Sequence, residues 1–270
     1  HIMKSKNLSI IIVNYNGEKF LKNCIDSIYE NCTSEDFEII IVDNNSSDNS
    51  ISIIKEFYPN CILIESKENL GFAKGNNLGV KNCNGKFVLL LNNDTILLQE
   101  ISPAFQELRK KNVGIVGVKM LDCNKNYLTS VGKFPKSFSL IKFSLLEEKR
   151  REFVTGNFSN KNYFVDWVTG AFLLTTKKIW NQVNGLDEDY FMYVEDVDFC
   201  KKVSKINYKT VFLSTVSYIH FVGFNKTREI KLINGYKLYS SKHFNLVSSI
   251  LAKICLNINY VYKKKVKDIC

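Results

Sequence analysis

The chain has 270 residues, 45% of them hydrophobic and 24% charged, which is the composition of a globular protein long enough to bury a substantial core. The eight cysteines include no CxxC pair and no zinc-like spacing with the three histidines, and no N-terminal stretch is apolar enough for a signal peptide or a membrane span. We therefore expect free thiols and a cytoplasmic protein. The net charge of +10 is concentrated in residues 228–270, where nine Lys and Arg against two acidic residues give +7.

Four short apolar runs in the N-terminal part predict buried strands. They are Leu8–Val13, Phe37–Val42, Cys61–Ile64 and Phe87–Leu91. Apolar residues at helical spacing between the runs predict helices, the third of them over residues 72–82. This alternation of strand and helix predicts βαβ crossovers and an α/β fold with a mostly parallel sheet.

Beyond Asp94 the alternation becomes irregular. Residues 122–165 are mixed, polar and aromatic, and we interpret them as an extended loop or excursion over the site. The remaining pattern predicts helices over 101–111, 177–183 and 197–205, and strands over 114–119, 168–175 and 210–219. No linker composition marks a domain boundary before about residue 228, where a basic helical extension begins.

Polar residues follow the predicted strands at their carboxyl ends, where open α/β sheets bind ligands. Asp94 can hold a divalent cation there, since hard cations prefer oxygen ligands. Tyr15 can stack on a base, Asp43 can accept a hydrogen bond from it, and Lys74 can meet a phosphate. Taken singly, each of these residues could equally be a turn residue, a helix cap or a solvated lysine. The chain has no GxGxxG fingerprint and no phosphate-binding P-loop, so any nucleotide is bound by side chains at strand ends.

The segment from Leu186 to Cys200 interleaves acidic residues with aromatic ones. Glu195 and Asp196 precede a predicted helix, where the macrodipole favours carboxylates for structural reasons alone. The functional interpretation is a general base beside an aromatic platform for a sugar ring. His220 ends a predicted strand, and it is either a structural histidine or the second ligand of a metal site that includes Asp94.

Taken together and in order, these motifs resemble the family 2 glycosyltransferases, in particular the bacterial rhamnosyltransferase-like branch. The resemblance covers about residues 7–225. The matching text comprises SIIIVNYNG at 9–17, VDNNS at 42–46, ENLGFAKGNN at 68–77, LNNDT at 91–95, WVTGA at 167–171, GLDEDYFMYVEDVD at 185–198, and His220.

The resemblance implies a GT-A fold over residues 4–227, with a nucleotide-binding part of about 4–95 and an acceptor part of about 96–227, followed by the basic extension at 228–270. It also implies transfer of a sugar from a nucleoside diphosphate sugar with inversion at the anomeric carbon. The roles that it implies are nucleotide binding by Val13, Tyr15, Asp43, Lys74, Asn77 and Asn93; Mg²⁺ or Mn²⁺ binding by Asp94 and His220; catalysis by Asp196 and Glu195; and contact with donor or acceptor sugar by Trp167, Gly170 and Ala171.

Two positions depart from the family pattern. Asn92 replaces the first acid of the DxD motif, and His220-Phe221-Val222-Gly223 replaces the usual H-x-G-G. With a single carboxylate at Asp94, we expect weak metal binding in the absence of nucleotide.

The resemblance favours a dTDP-rhamnose-like or UDP-sugar donor, and a glycan or lipid-linked acceptor in bacterial cell-surface polysaccharide synthesis. The apolar part of the tail, residues 244–256, is too short to span a bilayer. The tail either packs on the core or lies peripherally on the inner face of the cytoplasmic membrane. Alternative functions are sugar nucleotidyl transfer and a non-catalytic glycan- or nucleotide-binding module. We expect no nucleic-acid partner, and a homo-oligomer remains open.

Overall fold

The computed structural model describes residues 6–221 and 227–267, and the side chains of 265–267 are not described. The strands are β1 Leu8–Asn14, β2 Phe37–Asp43, β3 Ile62–Glu65, β4 Phe87–Leu91, β5 Thr95–Leu97, β6 Val113–Leu121, β7 Tyr127–Leu128, β8 Val131–Gly132, β9 Asn162–Val165, β10 Trp167–Val168, β11 Phe172–Thr176 and β12 Lys209–His220. The α-helices are α1 Glu18–Asn31, α2 Ser50–Phe57, α3 Gly71–Lys81, α4 Ser102–Leu108, α5 Arg151–Thr155, α6 Lys177–Gln182, α7 Glu195–Lys205, α8 Arg228–His243 and α9 Leu246–Lys267. Two 3₁₀ helices cover Ser137–Ile141 and Phe143–Leu146.

The central sheet has the strand order β3-β2-β1-β4-β11-β6-β12-β5. Strands β1 to β4, β6 and β12 run in one direction, while β11 and β5 are antiparallel to their neighbours. The predicted α/β fold with a mostly parallel sheet is therefore confirmed. The Ile- and Val-rich runs of β1 and β2 are buried almost throughout, as expected for strands covered by helices on both faces.

The chain crosses the sheet directly after β4. Strand β5 does not stay beside β4 but pairs with the end of β12, where Thr95 lies opposite His220. The turn at residues 92–94 therefore connects the end of β4 with the end of β12. This crossing explains why residues separated by more than a hundred positions meet at one edge of the sheet.

Helices cover both faces of the sheet with apolar cores. One core packs α1, α2 and α4 against β1, β2 and β4. The other packs α3, α6 and α7 against the opposite face. A third apolar cluster joins α8 and α9 to the 3₁₀ helices and to the segment before α7.

Two sequence predictions need correction. Residues 122–165 are not one extended loop, since they contain β7, β8, β9, α5 and two 3₁₀ helices. Aromatic rings in edge-to-face and tilted contact, including Phe153, Phe158 and Phe212, hold part of this region against β12. The predicted strand at 168–175 is interrupted between β10 and β11, because the Gly170 amide donates to Asp196 instead of to a neighbouring strand.

The basic extension packs on the core, as one of the two interpretations of the tail predicted. Ile233, Tyr236 and Tyr239 of α8 are buried, as are Cys255 and Leu256 of α9. Among the described helices, none is both long and apolar enough to cross a membrane. The motif departure at Val222 and Gly223, and the chain ends at 4–5 and 268–270, lie outside the described residues.

Candidate active site

A cavity of about 350 Å³ opens at the edge of the sheet where the parallel strands end. It collects side chains from the β4–β5 turn, the end of β12, the β10–β11 break and the starts of α7 and α8. Its polar lining includes Asp94, His220, Glu195, Asp196 and Arg228. Four of these five residues are predicted site residues, so the structure brings the predicted metal and catalytic groups to one cavity.

Asp94 and His220 form the first pair in this cavity. His220 Nε2 lies 3.2 Å from Asp94 Oδ1, and the pairing of β12 with β5 holds the two residues together. The Phe221 amide donates to the Asp94 carbonyl at 2.9 Å, which fixes the turn. On its other side, the His220 Nδ1 atom lies 3.3 Å from Met120 Sδ.

The Asp94–His220 pair fits a divalent cation only as part of a larger ligand set. A carboxylate oxygen and an imidazole nitrogen are both suitable donors for Mn²⁺, and the carboxylate also suits Mg²⁺. Within residues 6–221 and 227–267, however, no group of three or more His, Cys, Asp or Glu side chains is arranged for a metal. A cation held here must take its remaining ligands from water or from a bound anion.

Asp196 is the second feature of the cavity. It lies in the first turn of α7, and its two carboxylate oxygens accept from Gly170 N at 2.9 Å and from Val197 N at 2.8 Å. The Gly170 and Val197 amides and the Thr169 side chain lower the pKa of this carboxyl. Burial nevertheless raises the pKa of Asp196 above its ordinary value. An oriented carboxylate with increased proton affinity is well suited to act as a general base.

Glu195 differs from Asp196 although the two are adjacent. Its side chain is buried, and Glu195 Oε2 has no hydrogen-bond partner among the described residues. Burial, together with the negative charge of Asp196, raises the pKa of Glu195 to about 8. Two neighbouring buried carboxyls resist double ionisation, and the two amides that donate to Asp196 favour the charge on Asp196 over Glu195.

The backbone leading into α7 is strained. Tyr193 and Val194 have φ values of 73° and 74°, a conformation that is costly for a β-branched residue. The preceding Phe191 carbonyl accepts from Phe72 N at 2.8 Å, at the start of α3. Gly71, with φ of 75°, faces the same carbonyl, and a Cβ there would lie only 2.3 Å from it. The strained segment and α3 are thus packed tightly together beside the catalytic candidates.

A buried polar network joins the ends of β2, β1 and β4. Asp43 has no exposed surface, and it accepts from Asn14 Nδ2 at 2.9 Å and from the Ser46 amide and hydroxyl at 2.8 and 2.7 Å. Asn14 in turn accepts from Asn93 Nδ2 at 2.7 Å. The contact of Asp43 with a nucleoside stays a prediction.

The other predicted nucleotide-binding residues are spread along the same edge. Tyr15 is 52% exposed just beyond β1, and Lys74 is exposed on α3. Val13 is half-buried, in contact distance of Gly75 at the start of α3. None of these three residues lines the Asp94 cavity, and their nucleotide-binding role stays a prediction.

The Asn77 side chain contacts the loop before α7. Its amide donates to the Leu186 carbonyl at 2.8 Å and to Glu188 at 3.0 Å, and its oxygen accepts from Leu186 N at 3.0 Å. Both polar atoms of the side chain are therefore hydrogen-bonded to the loop before α7. Asn77 lines a separate groove beside Trp180. The structure shows Asn77 in contact with the loop before α7, and its nucleotide contact stays a prediction.

The three predicted sugar-binding residues lie at the β10–β11 break and line the cavity. Gly170 supplies the amide that holds Asp196, and a Cβ at this position would lie 2.8 Å from Phe72 Cζ. Ala171 is buried, and its carbonyl accepts from Asn92 N at 3.1 Å. Trp167 is anchored through its indole nitrogen to the Lys133 carbonyl at 3.1 Å.

Sequence reasoning missed the contribution of the C-terminal extension to the cavity. Arg228, Leu232 and Tyr236, all on α8, line it, and the Arg228 guanidinium carbon lies 6.0 Å from the Tyr193 ring centroid. In the sequence, the only sign was one arginine within a basic tail. The structure places this charge in the lining of the cavity that also contains Asp94 and His220.

The chain matches the family model described as glycosyl transferase family 2 over residues 9–174. This span includes the Asp94 turn and the β10–β11 break, which line one part of the cavity, while α7, His220 and α8 lie beyond it. The chain belongs to glycosyl transferase family 2. It is 27% identical to the low-salt glycan biosynthesis hexosyltransferase Agl10 of Haloferax volcanii over 263 residues, covering 94% of this chain and 80% of that one.

A second relative matches almost from end to end. Rhamnosyltransferase WbbL of Escherichia coli is 25% identical over 275 residues, covering 89% of this chain and 98% of that protein. Among solved structures, the mannosyltransferase PcManGT of Pyrobaculum calidifontis, in complex with GDP-Man and Mn²⁺, superposes with a TM-score of 0.65 at 16% identity, covering 97% of this chain and 76% of that one. S. aureus TarS 1-349 superposes with a TM-score of 0.60 at 16% identity, covering 94% and 71%. The fold of this family 2 chain is accordingly the GT-A fold.

Proposed function

We propose that this protein is a metal-dependent, inverting glycosyltransferase. It moves a sugar from a nucleoside diphosphate sugar, dTDP-rhamnose-like or a UDP-sugar, to a hydroxyl of a glycan or lipid-linked acceptor in bacterial cell-surface polysaccharide synthesis. The observation that carries the proposal is the single cavity that contains both the Asp94–His220 pair and the Asp196 carboxylate.

Asp196 is the general base in this proposal. Its carboxylate is held by the Gly170 and Val197 amides, so it is oriented before a substrate arrives. It removes the proton of the acceptor hydroxyl while the oxygen attacks the anomeric carbon from the face opposite the leaving group. General-base assistance of this kind contributes roughly 10²–10⁴ in rate. In this proposal Glu195 keeps its proton, so no second negative charge lies beside the Asp196 carboxylate.

Positive charge is needed where the nucleoside diphosphate leaves. Asp94 and His220 would hold Mg²⁺ or Mn²⁺, which neutralises charge on the departing diphosphate when bound. Arg228 lines the same cavity and supplies a guanidinium that can bind phosphate oxygens in a bidentate manner. Support for a metal comes from the Mn²⁺ in the structure of the mannosyltransferase PcManGT.

The nucleoside would lie along the ends of β1, β2 and β4. Tyr15, exposed beyond β1, offers a ring for stacking, and Asn93 ends the buried network through Asn14. Resemblance to WbbL, a rhamnosyltransferase, supports a deoxyhexose donor. Trp167 and the Gly170–Ala171 backbone would bound the sugar. Residues 228–270 would bring the enzyme to the membrane face where a lipid-linked acceptor is presented.

A donor screen tests the proposed function. Thermal unfolding is followed with each nucleoside diphosphate and its sugars in the presence of Mn²⁺, since a ligand at a hundred times its Kd stabilises by about 2.7 kcal/mol. We expect one base and one sugar to raise the Tm above all others, and the same compound to be turned over slowly to free sugar. If no nucleoside diphosphate or nucleotide sugar changes the Tm, the proposal is wrong.

A further inference from the structure

Helix α9 has apolar residues on two opposite faces. Ala252, Cys255 and Leu256 are buried against the core, and Asn259 donates to the Leu140 carbonyl at 3.1 Å. The opposite face consists of side chains that are each at least 49% exposed. We call this face the α9 stripe: Leu246, Val247, Ile250, Ile254, Ile258 and Val261.

The α9 stripe is continuous along the helix. Its members follow one another at spacings of one, three or four residues, so they share one side of the helix. From Leu246 to Val261 the helix rises about 22 Å at 1.5 Å per residue. Large apolar side chains in such an exposed row typically mark an interaction surface. Packing of α9 on the core does not explain these exposed side chains, because the opposite face of the helix makes that contact.

The charge of α9 indicates what covers the stripe. The helix contains five lysines and no Asp or Glu. Lys253 follows Ile250 by three residues and Lys264 follows Val261 by three, so each lies beside the stripe. Both are exposed, and among the described side chains neither has a carboxylate within salt-bridge distance. Lys263, by contrast, pairs with Glu229 at 3.3 Å.

We propose that the α9 stripe binds the surface of an anionic lipid bilayer. An apolar row with flanking lysines and no acidic residue is the composition of a helix lying in the membrane interface. Anionic headgroups attract the lysines while the Ile and Val side chains enter the acyl boundary. A second copy of the chain is the poorer occupant, because two such helices would bring two sets of five positive charges together.

Docking through α9 also orients the active site. Helix α8 packs against α9, and its first residue, Arg228, lines the catalytic cavity. A bilayer under α9 therefore places the cavity close to the membrane surface, within reach of an acceptor carried by a lipid. This consequence rests on the proposed glycosyltransferase function, whereas lipid binding itself does not.

The test is co-sedimentation of the full chain with phosphatidylcholine vesicles, with and without phosphatidylglycerol. Ile250→Glu/Ile254→Glu alters the centre of the stripe. Its matched control is Phe57→Glu/Val154→Glu, which introduces the same charge at two apolar side chains that are 55% and 67% exposed elsewhere. We expect the wild type and the control to bind the anionic vesicles, more weakly as salt is raised, and the stripe variant to bind at least about tenfold more weakly.

Equal binding by the stripe variant and the control would overturn the proposal, as would equal binding to neutral and anionic vesicles. Sedimentation velocity without lipid tests the alternative, in which a second copy of the chain binds the α9 stripe. A wild-type dimer that the stripe variant converts to a monomer would show that a second copy covers the stripe, and would also overturn it. Thermal unfolding and nucleotide binding of every variant are measured in parallel, so that loss of lipid binding is separated from misfolding and from failure of the glycosyltransferase assignment.

Discussion

Glu195 offers a prediction whose size follows from the structure. In the unfolded chain its carboxyl ionises near 4.5, whereas in the folded protein burial and the Asp196 charge raise its pKa to about 8. The folded state thus binds this proton more tightly than the unfolded state does. Its contribution to stability is complete below about pH 4.5 and is lost progressively as the pH rises towards 8.

The substitution Glu195→Gln keeps the shape of the protonated side chain and removes its ability to ionise. One pKa unit corresponds to 1.36 kcal/mol, so the interval between the two pKa values sets a ceiling of about 5 kcal/mol on the pH-dependent loss. Asp196 shares the titration, which makes this value an upper limit for Glu195 alone. We expect the variant to gain stability relative to the wild type by some kcal/mol between about pH 5 and pH 8.

Urea unfolding of both proteins across this pH range measures the difference. The free energy of unfolding of the wild type should fall more steeply with pH than that of Glu195→Gln. Glu188→Gln, an exposed acid of the same segment, is the control and should run parallel to the wild type. Parallel curves for Glu195→Gln and the wild type would refute the assignment of a retained proton to Glu195.

Three further substitutions test the metal pair, the role of Arg228 and a buried histidine–aspartate contact. His220→Ala should abolish the gain in nucleotide binding that Mn²⁺ provides, as measured by calorimetry, and tight Mn²⁺ binding by the wild type without nucleotide would contradict the shared-ligand account. Arg228→Ala should raise KM for the donor about tenfold or more, with Arg228→Lys intermediate; an unchanged KM would remove Arg228 from the diphosphate site. His243 Nε2 lies 2.6 Å from the buried Asp198 Oδ1, so His243→Ala should cost about 1–3 kcal/mol in urea unfolding, and an unchanged free energy of unfolding would show that this contact does not stabilise the fold.

The sequence was sufficient to predict the strands of the first half of the sheet. Strands β1 to β4 are continuous apolar runs that end in polar residues, and each lies within one or two residues of its predicted position. The pairing of Asp94 with His220 was anticipated through the family resemblance. Its physical cause, the crossing of β5 to the end of β12, has no local sequence signal because it depends on a pairing across more than a hundred residues.

Other features depend on contacts that no local pattern encodes. Asn77 donates to the Leu186 carbonyl, 109 residues away, and no local pattern around Asn77 indicates this contact. Arg228 enters the cavity only because α8 folds back onto the core. The interruption at Gly170 looked like continuous strand, since its cause is the carboxylate of Asp196 on another element.

The central claim is that Asp196 is the general base of a glycosyltransferase. The decisive measurement compares turnover and nucleotide binding of Asp196→Asn with those of Asp189→Asn, an exposed acid of the same segment, using the donor found in the screen. We expect Asp196→Asn to lose roughly 10²–10⁴ in kcat with nucleotide Kd nearly unchanged, and Asp189→Asn to retain both. Undiminished turnover by Asp196→Asn would contradict the account.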